Sequence, residues 1–323
     1  MVFSIEEGGI NNMQPDIAAD MKADSFTHKS LQNTIRRRKV INFVLIFIAF
    51  LLAIFIAFPL YWMIRCSLVS KAALSNPEFF ADPPSLFPKS IQWINYAKAI
   101  KRINFPQQLL NSLSIVIPYV IANLFTTSIS AYAFARIRFP LRGLWFTLVI
   151  CTMMLPNAVT LLPQYDLYAS MGIVGNEAIF GGKLPLILPA FFCASGNAYF
   201  VFLLRQFFMT IPMELDEAAR IDGAGYARLY FSIMLPLIKP ALIVVGLFSF
   251  INSWNEFFYA IIYLQSEKVY TLTLGLYIIN GIRLTNYEQV MALAVIVTTP
   301  CLLLFLVGNK YFTEGVKLTG IKG

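Results

Sequence analysis

The chain contains six apolar stretches of about 20 residues, and their length limits its possible folds more than any other feature. A helix of about 20 residues crosses the roughly 30 Å hydrocarbon core of a membrane. It also satisfies its own backbone hydrogen bonds, as every segment in lipid must. The stretches cover residues 41–64, 112–134, 144–165, 184–204, 240–264 and 289–308. We therefore predict an all-α membrane protein, a polytopic bundle of six transmembrane helices over residues 41–323.

The composition excludes a water-soluble globular protein. Apolar residues make up 58% of the chain and charged residues 13%, whereas soluble proteins have about 45–50% and about 25%. The net charge of +8 comes from basic residues scattered at the ends of the apolar stretches. This scatter is typical of membrane-topology signals and not of a nucleic-acid surface. One histidine and four cysteines leave little for a metal site, and we predict none.

The polar N-terminal stretch, residues 1–40, is expected to be a disordered cytoplasmic arm. It ends in the basic cluster 36–39, directly before the first apolar stretch. A secretory signal has the same order, but its apolar core is only 7–15 residues long and a small-x-small cleavage site follows it. Stretch 41–64 is longer and lacks such a site, so we expect it to be retained as a helix.

The distribution of Lys and Arg over the loops predicts the orientation. Basic residues are concentrated in the arm, in the loops 135–143 and 205–239, and after residue 308. This pattern predicts a multi-pass protein of a bacterial plasma (inner) membrane with both termini in the cytoplasm. The long outer loop 65–111 is either a plain connector or a surface for an external partner.

Several apolar stretches contain polar side chains that are candidates for lining a pathway. They are Asn123, Thr127, Asn157, Asn197, Asn252, Asn255 and Glu256. Polar side chains also hold transmembrane helices together, so packing is the alternative for each one. Glu256 is the strongest candidate, because a carboxylate in hydrocarbon costs about 2.5–3.5 kcal/mol. It should therefore face protein or water.

The predicted cytoplasmic loop 205–239 carries a helix–elbow–helix pattern. Pro212 suits a first helical turn, and acidic residues, among them Glu217, follow near the positive end of the helix dipole. Gly223 then ends the helix. From the residues alone, this segment is either a docking element for another protein or an amphipathic connector.

The spacing of this pattern resembles the EAA motif of membrane subunits of bacterial ATP-binding-cassette (ABC) importers. The matching residues are Glu217, Ala218, Ala219, Gly223, Ile233, Leu235 and Pro236. The segments 202–208, 253–257 and 317–323 are similar to the carbohydrate branch of the family, of the MalG-like type. The resemblance covers about residues 41–323 and implies a MetI-like permease fold with a cytoplasmic EAA coupling helix.

The resemblance also implies a function, that of a permease subunit of a binding-protein-dependent importer for sugars or oligosaccharides. Its partners would be a homologous, MalF-like permease subunit, an ABC ATPase dimer, an extracytoplasmic solute-binding protein and membrane lipid. The EAA residues would couple to the ATPase, with Glu217 as a charged anchor and Gly223 as the elbow. Loop 265–288 would enter the binding protein's cleft, and the C-terminal tail would reach between the ATPase subunits.

The chain itself has no nucleotide-binding loop of the Walker A type. The nearest approach is Gly182-Lys183, where Glu177 replaces the first required glycine and Leu184 the required Ser or Thr. We therefore expect no enzymatic activity and no cofactor on this subunit, with ATP and Mg²⁺ on the partner ATPase.

Two alternatives remain, an importer subunit for a non-sugar solute such as a polyol or glycerol phosphodiester, and an ion-coupled secondary transporter using Glu256. A membrane-embedded enzyme fits less well, because no apolar stretch carries an acid–base pair or metal ligands.

Overall fold

The computed structural model describes the backbone of residues 15–74, 88, 90–192, 197–281 and 286–320. Side chains are described for residues 37–74, 88, 90–192, 197–279 and 286–310. The described residues form helices and connecting turns and contain no β-strand. The chain divides into two compact units, Met1–Trp62 and Met63–Gly323.

Fourteen helices, labelled here in chain order, account for the regular structure of the described residues. The first seven are α1 Pro15–Ser67, α2 Lys71–Leu74, α3 Ile94–Arg102, α4 Phe105–Arg136, α5 Arg142–Thr152, α6 Asn157–Ser170 and α7 Leu184–Phe191. The next seven are α8 Ala198–Thr210, α9 Glu214–Ile221, α10 Tyr226–Leu237, α11 Lys239–Trp254, α12 Phe258–Tyr263, α13 Leu272–Gly281 and α14 Tyr287–Gly320. Short 3₁₀ turns at Phe180–Gly182 and Glu267–Val269 precede α7 and α13.

Three of the described helices are long and apolar enough to cross a membrane without a break. They lie at Arg37–Ser67, Phe105–Arg136 and Tyr287–Lys310. Three further pairs pass the same test only together and are bent, by 100° between α5 and α6, 76° between α8 and α9, and 80° between α10 and α11. Up to six spans result if each bent pair counts as one.

The predicted stretches agree with the three unbroken helices and with the bent pair α5 and α6, but they pair the remaining helices differently. Stretches 41–64, 112–134 and 289–308 lie inside the unbroken helices α1, α4 and α14. The other three each cover two helices with a break between them, α5 with α6, α7 with α8, and α11 with α12. Prolines precede or interrupt several of these helices, and proline removes a backbone donor and disrupts the helical ladder. Residues 193–196, between α7 and α8, lie outside the described residues.

The first unit differs from our expectation of a disordered arm. Helix α1 begins at Pro15, so residues 15–40 are helical, while residues 1–14 lie outside the described residues. Proline suits a helix start, and the Ala-rich stretch behind it favours helix. Extension of a helix that already exists next to it also avoids a new nucleation step. The apolar part of α1 is exposed from residue 40 to residue 59, with Phe55 77% exposed, as expected for a helix that faces lipid or another protein.

The second unit is organised around α4. This helix packs against α7, α8 and α11, and α14 packs against α11 and α3. The largest buried cluster surrounds the C-terminal part of α4 and includes Tyr132, Leu204, Phe208 and Met234. Because α8, α9, α10 and α11 all contribute to it, this cluster positions the EAA residues against the membrane-spanning helices.

Candidate functional site

A cavity of about 320 Å³ lies beside the break between α11 and α12. Helix α11 ends at Trp254, whose indole Nε1 donates to the carbonyl of Val297 in α14 at 2.9 Å. The carbonyl of Trp254 in turn accepts from the Thr273 hydroxyl in α13 at 2.7 Å. The break is therefore anchored from two neighbouring helices. Interrupted backbone within an apolar segment is tolerated where it lines a cavity or is buried in protein.

Polar side chains from four helices, from the helix break and from the residue before α13 converge on this cavity. They are Ser112, Tyr119, Asn157, Gln164, Asn252, Ser253, Asn255, Glu256, Tyr259 and Thr271. Amides and hydroxyls supply both hydrogen-bond donors and acceptors. Tyr119, Trp254 and Tyr259 contribute aromatic rings, and aliphatic and proline side chains complete the lining. A small cavity that combines amides and hydroxyls with aromatic rings suits a hydroxylated solute.

The carboxyl group of Glu256 is held in place by the backbone. Its Oε1 accepts a hydrogen bond from the amide of Tyr259 at 2.9 Å, at the beginning of α12. The side chain is partly exposed toward the cavity that it lines. Glu256 therefore faces a cavity and its own backbone, as its charge requires.

The structure separates the seven predicted pathway residues into two groups. Asn157, Asn252, Asn255 and Glu256 line the cavity. Asn123, Thr127 and Asn197 are fully buried and do not line it. Asn197 lies one contact away, because its Oδ1 accepts from the hydroxyl of Tyr119 at 3.1 Å.

Asn123 and Thr127 lie in the packing between helices. The Asn123 amide donates to the hydroxyl of Ser249 in α11 at 2.6 Å, and the hydroxyl of Thr127 donates to the carbonyl of Asn123. Such contacts join transmembrane helices and need no solute. Sequence reasoning did not single out Tyr119 or Tyr259 as lining residues, because aromatic residues also abound on lipid-facing surfaces.

The second candidate site is the EAA helix, α9. Its end forms a Schellman motif, in which the amide of Ala224 donates to the carbonyl of Ala219 at 2.9 Å and the amide of Gly223 to that of Arg220 at 3.0 Å. Gly223 has φ +78°, a conformation that other residues rarely adopt. The glycine of the motif therefore forms the elbow between α9 and α10.

The EAA residues divide into exposed and buried positions. Glu217, Ala218 and Gly223 are exposed, whereas Ala219 is buried in the cluster around Phe208. The remaining motif residues lie in or near a π-helical segment of α10, where Ile233 and Leu235 pack against the same cluster and Pro236 is exposed. The motif thus combines an exposed acidic–alanine surface with a buried attachment to the membrane helices.

The attachment depends on a residue that sequence reasoning counted only as a topology signal. Arg136, the last residue of α4, donates to Asp216 in α9 and to the carbonyls of Phe208 and Ile211. It is buried, as is Asp216. Arginine can make these contacts together because its guanidinium carries five donors. The sequence offers no signal that this arginine, unlike Arg138 and Arg142, is buried.

A polar network also holds the segment before α13, part of the predicted loop 265–288. The Asn111 amide donates to the carbonyls of Lys268 and Tyr270, at 2.8 and 3.0 Å. The ammonium of Lys183 donates to Asn111 Oδ1 at 2.7 Å, and burial lowers the pKa of this lysine. Much of the predicted loop is helical, as α13, and residues 282–285 lie outside the described residues.

Residues 123–317 match the family described as "Binding-protein-dependent transport system inner membrane component". The sn-glycerol-3-phosphate transport system permease protein UgpE of Pectobacterium atrosepticum is 34% identical over 76% of this chain and 86% of its own length. The melibiose/raffinose/stachyose import permease protein MelC of Bacillus subtilis is 31% identical over 82% of this chain and 91% of its own.

A solved bacterial ABC transporter, described as involved in the import of the acidic polysaccharide alginate, shares the fold. It aligns with a TM-score of 0.71 and 22% identity over 85% of this chain and 97% of its own. These matches confirm the predicted fold class, that of an all-α polytopic membrane permease. The chain belongs to the family of binding-protein-dependent transport system inner membrane components.

Proposed function

We propose that this permease subunit serves an ABC importer for sugars or oligosaccharides. It forms half of the translocation pathway, with a homologous second permease subunit forming the other half. An ABC ATPase dimer on the cytoplasmic side binds ATP and Mg²⁺ and supplies the energy. An extracytoplasmic solute-binding protein delivers the cargo. Both termini then lie in the cytoplasm, and this subunit needs no cofactor.

The observation that supports this proposal best is the divided surface of the EAA helix. Glu217 and Ala218 are exposed on a helix whose opposite face is fastened to α4 by the Arg136–Asp216 ion pair. A small exposed side chain next to an exposed carboxylate permits close approach of a partner and gives it one charge to bind. A passive connector would need no buried ion pair to fix its angle.

The cavity supports the assignment of the pathway. It lies beside a helix break, and amides, hydroxyls and aromatic rings line it. Sugar hydroxyls bind to such amides and hydroxyls, and sugar faces pack on aromatic rings. The relatives are named for melibiose, raffinose and stachyose in one case and for sn-glycerol 3-phosphate in another. All of these are hydroxylated carbon compounds, and a lining without a basic side chain favours the saccharides over the phosphate.

Reconstitution of the copurified complex into liposomes tests the proposal. The chain would be purified from its native membrane in detergent, the associated subunits identified by mass spectrometry, and the binding protein added outside. We expect ATP enclosed in the liposomes to drive uptake of a radiolabelled saccharide such as raffinose or melibiose. Glu217→Ala should abolish this uptake. Uptake by the isolated chain, without any ATPase and driven by an ion gradient, would contradict the proposal and favour a secondary transporter.

A further inference from the structure

The cavity beside the break between α11 and α12 carries an unbalanced negative charge. Among the described residues that line it, Glu256 is the one ionisable carboxylate, and no lysine, arginine or histidine accompanies it. The rest of the lining consists of amides, hydroxyls and apolar groups. A solute in this cavity therefore meets one negative charge with no basic side chain of this chain to offset it.

The carboxylate of Glu256 is also fixed in position, and most of its hydrogen-bond acceptor positions are unused. One of its oxygens accepts the Tyr259 amide at 2.9 Å, which orients the group at the break. A carboxylate has about four acceptor positions, so one backbone amide leaves most of them available. Electrostatic interactions weaken less with distance in a partly desolvated cavity than at an open surface. The charge of Glu256 therefore acts on a solute anywhere in the cavity.

We propose that Glu256 is a charge filter that sets the chemical class of the cargo. The cavity admits uncharged or amine-bearing hydroxylated solutes and disfavours solutes with a phosphate or carboxylate. A phosphate or carboxylate placed here would bring like charges together without a basic partner, and such a contact is unfavourable. This inference rests on the proposed function, since it names the cargo class of the same cavity.

The sign of the electrostatic potential in the cavity can be measured without knowing the cargo. In the copurified complex, the native cysteines are replaced by alanine and Asn252→Cys places one thiol on the cavity wall. Its reaction rates with a cationic methanethiosulfonate (trimethylammonium-ethyl) and an anionic one (sulfonato-ethyl) are compared. The ratio of the two rates is divided by the same ratio for 2-mercaptoethanol, which removes the intrinsic difference between the reagents.

We expect the normalised ratio to favour the cationic reagent about tenfold, as one nearby charge predicts at intermediate dielectric. Glu256→Gln in the same background should return the ratio to about one. Glu267→Gln is the matched control, because Glu267 is exposed and does not line the cavity, and it should leave the ratio unchanged. A ratio near one with Glu256 present, a ratio that Glu256→Gln does not alter, or no reaction with either reagent would each overturn the proposal.

A second measurement tests the cargo class directly. The solutes that stimulate ATP hydrolysis by the reconstituted complex and its binding protein would be identified from a panel of neutral, amino, phosphorylated and carboxylated sugars and polyols. Stimulation by neutral or amino compounds supports the filter, and stimulation by phosphorylated or carboxylated ones contradicts it. Failure of the importer function would instead appear as no stimulation by any compound, while the thiol reaction rates would still report the charge.

Discussion

Arg136 and Asp216 form an ion pair of 3.3 Å between the end of α4 and the EAA helix, with 2% and 4% of their side chains exposed. The same guanidinium donates to two backbone carbonyls at the end of α8, where helix carbonyls lack intrahelical partners. One side chain therefore joins three helices. We therefore expect a force applied to the EAA helix to reach α4 and α8 through this contact, because the packed elements around it are not continuously deformable.

Asp216→Asn should destabilise the protein strongly. Removal of one partner from a buried ion pair leaves an uncompensated charge and costs about 3–5 kcal/mol. We expect a lower midpoint of thermal unfolding in detergent, followed by tryptophan fluorescence. Asp222→Asn is the control, because Asp222 lies at the end of the same helix but is exposed. Similar shifts for the two variants would show that the buried pair contributes no special stability.

Glu217→Ala should weaken the association with the ATPase and leave folding intact. Glu217 is exposed and alanine favours helix, so the unfolding midpoint should stay unchanged. An interface anchor contributes about 2 kcal/mol or more, roughly 30-fold in affinity. The amount of ATPase that copurifies, titrated with added ATPase, measures the change. Glu214→Ala, also exposed on this helix, should retain the ATPase, and an equal loss for both would argue against a specific anchor.

Gly223→Ala should lower stability, whereas Gly225→Ala should change it little. Neither site has an atom within 4 Å of an added Cβ, so steric overlap does not distinguish them. Gly223 has φ +78°, where a side chain costs about 1–2 kcal/mol. Gly225 has φ −73°, where alanine gains about 0.4–1 kcal/mol by restricting the unfolded chain but loses a similar amount because a helix N-cap favours glycine over alanine. The unfolding midpoints of the two variants provide the comparison. An equal loss of stability in both variants would show that the positive φ of Gly223 has no special role in the elbow.

Asn123→Ala should lower stability and spare transport. Asn123 is fully buried and donates to Ser249 between α4 and α11, and such hydrogen bonds within membranes contribute about 0.6 kcal/mol on average. A double-mutant cycle with Ser249→Ala would measure the coupling energy from unfolding midpoints. Asn255→Ala is the contrasting variant, because it lines the cavity and should reduce uptake instead. Loss of uptake by Asn123→Ala at unchanged stability would place Asn123 in the pathway.

The helical segments and the elbow of this protein can be predicted from the sequence. Apolar length identifies the segments that form helices, because the hydrogen bonds of a helix close within the segment itself. The positions of Glu217 and Gly223 identify the elbow, since a Schellman turn needs a glycine at one defined place after the helix. The matching family confirms the permease class that these patterns predict.

The depth and rotation of each helix depend on neighbours that are distant in sequence. Asn123 and Asn157 are the same residue type in similar apolar stretches. Asn123 binds Ser249 between two packed helices, whereas Asn157 lines the cavity. Arg136 is one of three arginines in a short stretch, and it is buried by contacts with the distant residues Asp216, Phe208 and Ile211. Local hydrogen bonding and apolar length thus decide where helices form. Packing between remote segments decides which polar group contacts solute, a partner or the protein itself, because a side chain becomes buried only when the helices assemble.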